Sequence, residues 1–107
     1  MSDEGADAQL ARLDEAVARD PGHAELRYAR ANLLAGLGRE EAAKADYLTA
    51  IALKPDHFGA WQGIALCAVQ LEDWMAALDA ARQTLRLQPR QSSHLELVKS
   101  LENKLAS

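Results

Sequence analysis

Three histidines would matter most to chemistry if the fold brought them together, because neutral imidazoles are common zinc ligands. His23 and His57 each stand two residues after a proline, and His94 lies further along the chain. His23 and His57 would occupy equivalent turns of a repeated structure, about 10 Å apart, which is too far to share one ion. We therefore predict no metal site and expect these residues at helix starts.

Two pairs of neighbouring acids and one thiol are the remaining candidates for catalysis. The pairs are Glu40 with Glu41 and Glu72 with Asp73, and both fall at expected helix starts, where negative charge complements the helix dipole. Cys67, the single cysteine, lies in an apolar stretch with no basic residue nearby to stabilise a thiolate. No nucleophile with a base and no phosphate-binding glycine loop is present, so we predict neither enzyme activity nor a cofactor.

Charge and composition exclude several classes of partner. The chain has 107 residues, enough for one domain, and a net charge of −4, which argues against nucleic acid and anionic membranes. A basic stripe at Arg82, Arg86 and Arg90 lacks interleaved aromatics, and we expect Asp79 to pair with Arg82. The acidic start, MSDEGADA, differs from a secretory signal, so the cytoplasm is the expected compartment.

The elements that must position all of these residues are helices. The apolar content is mostly Ala and Leu, and no alternating strand pattern or hairpin turn occurs, which predicts an all-α protein. The predicted helices cover about 6–19, 24–37, 40–53, 58–71, 74–87 and 93–105. Ser93 and Glu96 have the spacing of a capping box for the last helix.

The three prolines reveal a repeat. Pro21, Pro55 and Pro89 are spaced 34 residues apart, and each follows a helical run that it ends. Small residues recur at the same offsets from the prolines, which indicates helices whose backbones approach closely. With Gly38 supplying a turn between helices, each period is predicted to be an antiparallel helix pair.

This pattern resembles the tetratricopeptide repeat, a 34-residue helix-turn-helix unit. The matching positions are Ala31, Gly38, Ala43, Tyr47, Ala50 and Pro55 in one unit and Trp61, Ile64, Ala65, Ala77, Thr84 and Pro89 in the next. The resemblance implies a right-handed α-solenoid of about six helices. Its segments are a flexible acidic N-terminus at 1–5, a partial repeat with only its second helix at 6–22, repeats at 23–56 and 57–90, and a capping helix at 91–107.

Four residues depart from the family pattern. Arg27 and Arg30 stand where an aromatic residue and a leucine are usual, and we expect them to pair with acids of the first helix, Asp14 or Asp20. Glu72 occupies a turn position where glycine is usual. Lys99 replaces a small residue in the closing helix, which suits a helix with solvent beyond it.

The resemblance also implies a function, because the first helices of such units line a concave groove. The groove residues carried over are Glu25, Tyr28, Asn32, Gln62, Leu66, Val69 and Glu96. Amide and apolar side chains there suit a peptide, so we expect a scaffold that binds a protein or peptide partner. A carboxylate clamp like that of some family members is not expected, because only Asn32 matches its positions.

Two alternatives remain open. The first helix has no antiparallel mate, so its Leu10, Leu13 and Val17 face would be covered by MSDEGADA, by another chain, or by a second copy in a homo-oligomer. In bacteria, arrays of this resemblance often precede catalytic domains, so the chain would then be the regulatory segment of a larger enzyme or assembly.

Overall fold

The computed structural model describes residues 2–107, with side chains from Gly5 onward, and this part contains six helices and no strand. The helices are α1 (Ser2–Arg19), α2 (Ala24–Gly36), α3 (Glu40–Leu53), α4 (Phe58–Gln70), α5 (Trp74–Leu87) and α6 (Ser92–Ala106). The all-α prediction is confirmed, and α2 to α6 begin and end within one residue of the predicted bounds.

The first helix differs from the prediction because it begins four residues early, at Ser2. Met1 lies outside the described residues. Since the acidic segment from Ser2 to Ala8 continues α1, the expectation that MSDEGADA folds back over the apolar face is wrong. That face is instead covered mainly by α2, with Val17 buried and Leu10 packed against the core.

Equivalent residues begin three of the helices. His23 and His57 precede α2 and α4, and their Nδ1 atoms accept hydrogen bonds from the amides of Leu26 (3.4 Å) and Ala60 (3.0 Å). The prediction that these histidines are helix-start residues is confirmed. Gln91 precedes α6 with a similar extended backbone but makes no side-chain cap. The predicted capping box at Ser93 and Glu96 is wrong, because the helix already begins at Ser92.

Two equivalent turns have left-handed backbone conformations. Gly38 has φ +77° and Glu72 has φ +57°, and both turns contain the two hydrogen bonds of a Schellman motif. In the first turn, the amide of Gly38 donates to Ala35 O (3.0 Å) and that of Arg39 to Leu34 O (2.9 Å). Glycine adopts this conformation freely, but a side chain at Glu72 makes it strained.

The core consists of small residues where consecutive helices meet. Seven of them have no exposed surface: Ala31, Ala43, Ala50, Ala60, Ala65, Ala68 and Ala77. Such residues let helix backbones approach closely, and each helix packs on the next along the chain. The resulting body is elongated, 42 × 30 × 20 Å, as expected of stacked helix pairs.

A charged cluster replaces apolar packing between α2 and α3. Arg30 donates to both oxygens of Asp46, at 2.7 and 2.8 Å, and to Asp14 Oδ1 at 3.0 Å. Arg27 lies 3.6 Å from Asp46 and also donates to the carbonyl of Pro21. The hydrogen bond with Asp46, which is only 5% exposed, helps hold the pKa of Arg30 above its ordinary value.

The expected pairing of these arginines is therefore half right. Asp14 of α1 does bind Arg30, whereas the carboxylate that both arginines share is Asp46 of α3, which the sequence analysis did not consider. A second predicted pair is wrong: Arg82 contacts Glu102 of α6 at 3.0 Å, not Asp79, because α6 packs directly on α5.

Between residues 2 and 107, no helix combines the length and the apolar character that crossing a membrane requires.

Candidate partner-binding groove

The predicted groove residues lie on corresponding stripes of α2, α4 and α6. Tyr28, Gln62 and Glu96 occupy the same position in three successive units. On α2, Glu25 and Asn32 flank Tyr28 at helical spacing, and on α4, Leu66 and Val69 follow Gln62 in the same way. We call these seven residues, Glu25, Tyr28, Asn32, Gln62, Leu66, Val69 and Glu96, the groove face. The helices α2 and α4 are in direct contact, whereas α6 packs on α5.

A recess of about 360 Å³ opens at one end of the groove face, where α2 and α4 begin. Its lining residues are Glu25, Tyr28, Lys54, Asp56, His57, Phe58 and Gly59. The ring of Tyr28 lies against that of His57, with centroids 4.6 Å apart. A Cβ atom on Gly59 would lie 2.8 Å from the Tyr28 hydroxyl, so a side chain at this position would displace the phenol from its present place.

His57 connects the two units at this recess. Its Nε2 lies 2.6 Å from Glu25 Oε1, while its Nδ1 accepts the amide proton of Ala60. Because Nδ1 accepts, the neutral ring must carry its proton on Nε2 and donate it to Glu25. The carboxylate of Glu25 is therefore held in place at the mouth of the recess, with its side chain 58% exposed.

Asn32 is partly committed to the fold. Its Oδ1 accepts a hydrogen bond from the Tyr47 hydroxyl at 2.5 Å, which leaves the amide nitrogen to contact a partner. Burial raises the pKa of Tyr47 to about 12, so the phenol remains a donor at neutral pH. Tyr47 also packs near Tyr28, with ring centroids 6.0 Å apart, and thereby supports the groove face from beneath.

Gly63 of α4 makes room for Tyr47. A Cβ atom at this position would overlap three carbons of the Tyr47 ring. This close approach was not predicted, because it joins two residues 16 positions apart on different helices.

The two apolar α4 residues of the groove face, Leu66 and Val69, differ in how far they are exposed. Leu66 is 54% exposed, and Gln62 is exposed as well. Val69 is partly buried and packs against the core, so it offers less surface to a partner. The packing residue Trp61 is held by a hydrogen bond from its Nε1 to the carbonyl of Pro55, 2.8 Å long.

The sequence's candidates for catalysis lie outside the groove face, and of these Cys67 and Glu40 come close to each other. Cys67 is 1% exposed, and burial, together with the Glu40 carboxylate, raises the pKa of its thiol to about 12. The side chain of His94, in the first turn of α6, is buried, and its Nε2 lies 3.1 Å from Gln88 Oε1. Asp73 caps α5 by accepting from the amide of Ala76. Among the described side chains, no three His, Cys, Asp or Glu gather as metal ligands would.

A second and larger recess, about 550 Å³, lies between α1 and α2. We call it the α1–α2 recess; its lining residues are Gln9, Arg12, Leu13, Ala29, Asn32 and Leu33. Of the unmated face predicted on α1, only Leu13 reaches this opening.

Sequence reasoning missed His57 as a groove residue, although it identified the residue as a helix start. Its position in the sequence was a signal, because His57 directly precedes Phe58 and Gly59, which line the same recess at the start of α4. The 34-residue period does not predict the contact of His57 with Glu25, because that contact depends on how the two units stack.

No family model and no curated protein matches the chain. Solved structures do match it. The first TPR of Spaghetti (RPAP3), bound to the HSP90 peptide SRMEEVD, is 20% identical with a TM-score of 0.89, over 99% of this chain and 84% of that one. The Sgt2 TPR domain from Aspergillus fumigatus is 17% identical with a TM-score of 0.83, over 99% and 72%.

A third solved structure is YrrB, described as a TPR protein with an unusual peptide-binding site. It is 23% identical with a TM-score of 0.78, over 88% of this chain and 48% of that one. At these identities the likeness concerns the path of the backbone, and the side chains of each groove have to be compared individually.

Proposed function

We propose that this chain, which has the fold of tetratricopeptide-repeat domains, is an interaction scaffold that binds a peptide or a segment of a partner protein on its groove face. The observation that carries the proposal is the exposed Leu66 beside exposed Gln62, on the helix that also walls the 360 Å³ recess. An apolar side chain next to amides is what a bound peptide needs, since its backbone requires hydrogen bonds and its side chains require burial.

The structural neighbours support a peptide as the partner. The Spaghetti domain is bound to an HSP90 peptide, and the second TPR domain of human RPAP3 is in complex with the HSP70 peptide SGPTIEEVD. Both peptides end in acidic residues. Here the clamp positions other than Asn32 are Tyr28, Gly63, Ser93 and Leu97, none of which is a cation. Because two carboxylates need cationic donors, the partner of this chain is a segment without an acidic tail.

Within the groove face the residues divide into three roles. Leu66 receives an apolar side chain, the amides of Gln62 and Asn32 bind the partner backbone, and Tyr28 forms the aromatic wall of the recess. Glu25 and Glu96 are acidic, and with the net charge of −4 they favour a protein partner over nucleic acid or an anionic membrane. The role requires no catalysis and no cofactor, and the compartment we propose for it is the cytoplasm.

Affinity capture with a matched pair of variants tests this role. Leu66→Asp places a charge on the groove face, and Leu48→Asp places the same charge on α3, where the leucine is 45% exposed. We expect a specific partner, identified by mass spectrometry, to be captured by the wild type and by Leu48→Asp and lost with Leu66→Asp. Equal capture by all three proteins, with unchanged helicity by circular dichroism, would remove the groove face from the proposal.

Self-association through α1 is a second candidate, in which the chain is a structural module or a regulatory segment of a larger enzyme or assembly. The α1–α2 recess, with Leu13 in its wall, is the observation that favours it. Light scattering over a range of concentrations should then show a dimer that Leu13→Asp dissociates. A monomer at all concentrations contradicts self-association and leaves the peptide-binding proposal intact.

A further inference from the structure

The α1–α2 recess occupies a place that holds a helix in the next unit. Shifting its lining residues by the 34-residue period leads to Ala43, Asp46, Tyr47, Gly63, Leu66 and Cys67. These residues belong to α3 and α4, and the helix that lies against both of them is α2. The recess between α1 and α2 is thus the same site one unit earlier, without its helix.

Burial shows how far α2 fills its site, since of the six corresponding residues only Leu66 remains exposed, at 54%. Ala43, Asp46 and Tyr47 on α3 are at most 5% exposed, and Cys67 on α4 is 1% exposed. Their counterparts at the α1–α2 recess remain open: Gln9 and Arg12 are exposed, and Leu13 and Leu33 are only partly buried. The space is therefore shaped for one more helix, antiparallel to α1 as α2 is to α3.

The charge at this site is reversed relative to the next unit. Asp46 binds Arg30 of α2 through two hydrogen bonds, at 2.7 and 2.8 Å. Arg12 stands at the position of Asp46, so the complementary group on an incoming helix is a carboxylate at the place of Arg30. Leu13, Ala29 and Leu33 supply the apolar part of the surface.

We propose that the α1–α2 recess binds an amphipathic helix of a partner protein, which runs antiparallel to α1 and presents a carboxylate to Arg12. Gln9 is larger than Ala43 at the corresponding point, so the incoming helix needs a small residue there. This site does not include Leu66 or Gln62 and shares only Asn32 with the groove face, and the incoming helix would cover the part of α1 around Leu13 that α2 leaves open.

The helix that fills the corresponding site supplies a probe. We would label a peptide with the sequence of residues 24–36 in which Arg27→Glu and Arg30→Glu reverse the charges, and compare it with the natural sequence. By fluorescence anisotropy with the full chain, the reversed peptide should bind about fivefold more tightly, the size of effect that an exposed charge pair gives. Arg12→Glu should invert this preference, and Arg19→Glu, at the exposed end of α1, should leave it unchanged.

Equal binding of the two peptides, or a preference that Arg12→Glu does not invert, would overturn the proposal. Because an isolated short helix is marginally stable, the reversed helix is also joined ahead of the chain by a Gly/Ser linker. A thermal midpoint that does not rise relative to the fusion with the natural sequence would overturn it as well. A dimer of the chain alone that Arg12→Glu dissociates would give the recess to a second copy and contradict a partner helix.

Discussion

The two complete helix pairs of this molecule, α2–α3 and α4–α5, have the same backbone arrangement and different chemistry at their interface. Arg27, Arg30 and Asp46 of the first pair correspond to Trp61, Ile64 and Ala80 of the second. Asp46 is 5% exposed and Ala80 is 1% exposed, so the position is buried in both units. The comparison teaches that the repeat constrains volume and burial, while the chemistry can change if all three residues change together.

A second exchange between the units concerns size. Tyr47 packs over Gly63, whereas the equivalent residues of the next unit are Ala81 and Leu97, with the large side chain on the other helix. Both arrangements are buried or partly buried. Because interiors are densely packed, the total volume at an interface is conserved even when its distribution is reversed.

Removing the carboxylate of Asp46 should have the largest effect on stability of the changes that distinguish the two helix pairs. Asp46→Ala leaves Arg30 and Arg27 without their shared partner, and we expect a loss of about 3 kcal/mol in the free energy of unfolding, near the lower end for buried pairs because both arginines are partly exposed. Urea denaturation followed by circular dichroism measures it. Asp14→Ala, which removes only the exposed partner of Arg30, should cost about 0.5 kcal/mol.

Replacing Arg27, Arg30 and Asp46 together tests whether the three positions change as a set. The triple variant Arg27→Trp, Arg30→Ile and Asp46→Ala copies the second unit, and its stability should return to within about 1 kcal/mol of the wild type or exceed it. A triple variant as unstable as Asp46→Ala would show that the three positions do not act as a set.

Adding one methyl group at Gly63 should have the next largest effect. Gly63→Ala places a Cβ atom inside the ring of Tyr47, and the forced shift should cost about 2 kcal/mol. The control is Gly36→Ala, at the end of α2, where a Cβ meets no atom within 4 Å and stability should be unchanged or slightly higher. Equal effects of the two substitutions would contradict the close packing of Tyr47 on α4.

Ionisation of Tyr47 on α3 and Cys67 on α4 should destabilise the contact between these two helices. The folded pKa values of Tyr47 and Cys67 are raised to about 12, above the values near 10 and 9 of the free groups. The unfolded chain loses these protons first, so the stability due to both neutral groups is complete below pH 9 and is lost as pH rises toward 12. Urea titrations at pH 8 to 11 should show this decline. Tyr47→Phe, which also removes the hydrogen bond to Asn32 and costs about 1 kcal/mol at pH 7, should remove the part of the decline due to Tyr47 and leave the part due to Cys67.

The smallest expected effect is a gain in stability at a turn. Glu72→Gly relieves a left-handed backbone that glycine adopts without strain, and should add about 1 kcal/mol. In the equivalent turn, Gly38→Ala should lose about the same amount. Thermal unfolding of the two variants should shift in opposite directions, and a loss of stability with Glu72→Gly would mean that the side chain makes a contact worth more than the strain.

Much of the fold follows from short-range signals. The prolines and Gly38 mark where helices end, because each of them acts on the backbone next to it. Ala31 and Ala43 mark where helices approach, because a small side chain lets a neighbouring backbone come close. The groove residues came from the resemblance to tetratricopeptide repeats, and their role in binding stays a prediction. The start of α1 and the cap of α6 were misplaced because an acidic segment and a serine can lie either before a helix or within its first turn.

The amino-acid sequence by itself determined an all-α chain of 34-residue units and the positions of its helices, since helix propensity, termination and amphipathic spacing are local properties. Only the tertiary structure decided that Asp46 binds both arginines, that His57 holds Glu25, and that Tyr47 lies over Gly63. Those contacts join residues 15 to 32 positions apart, and the partner of each side chain depends on how the helices stack. The α1–α2 recess was also decided by the tertiary structure, because it is recognised only by comparison with the next unit, where α2 fills the corresponding site.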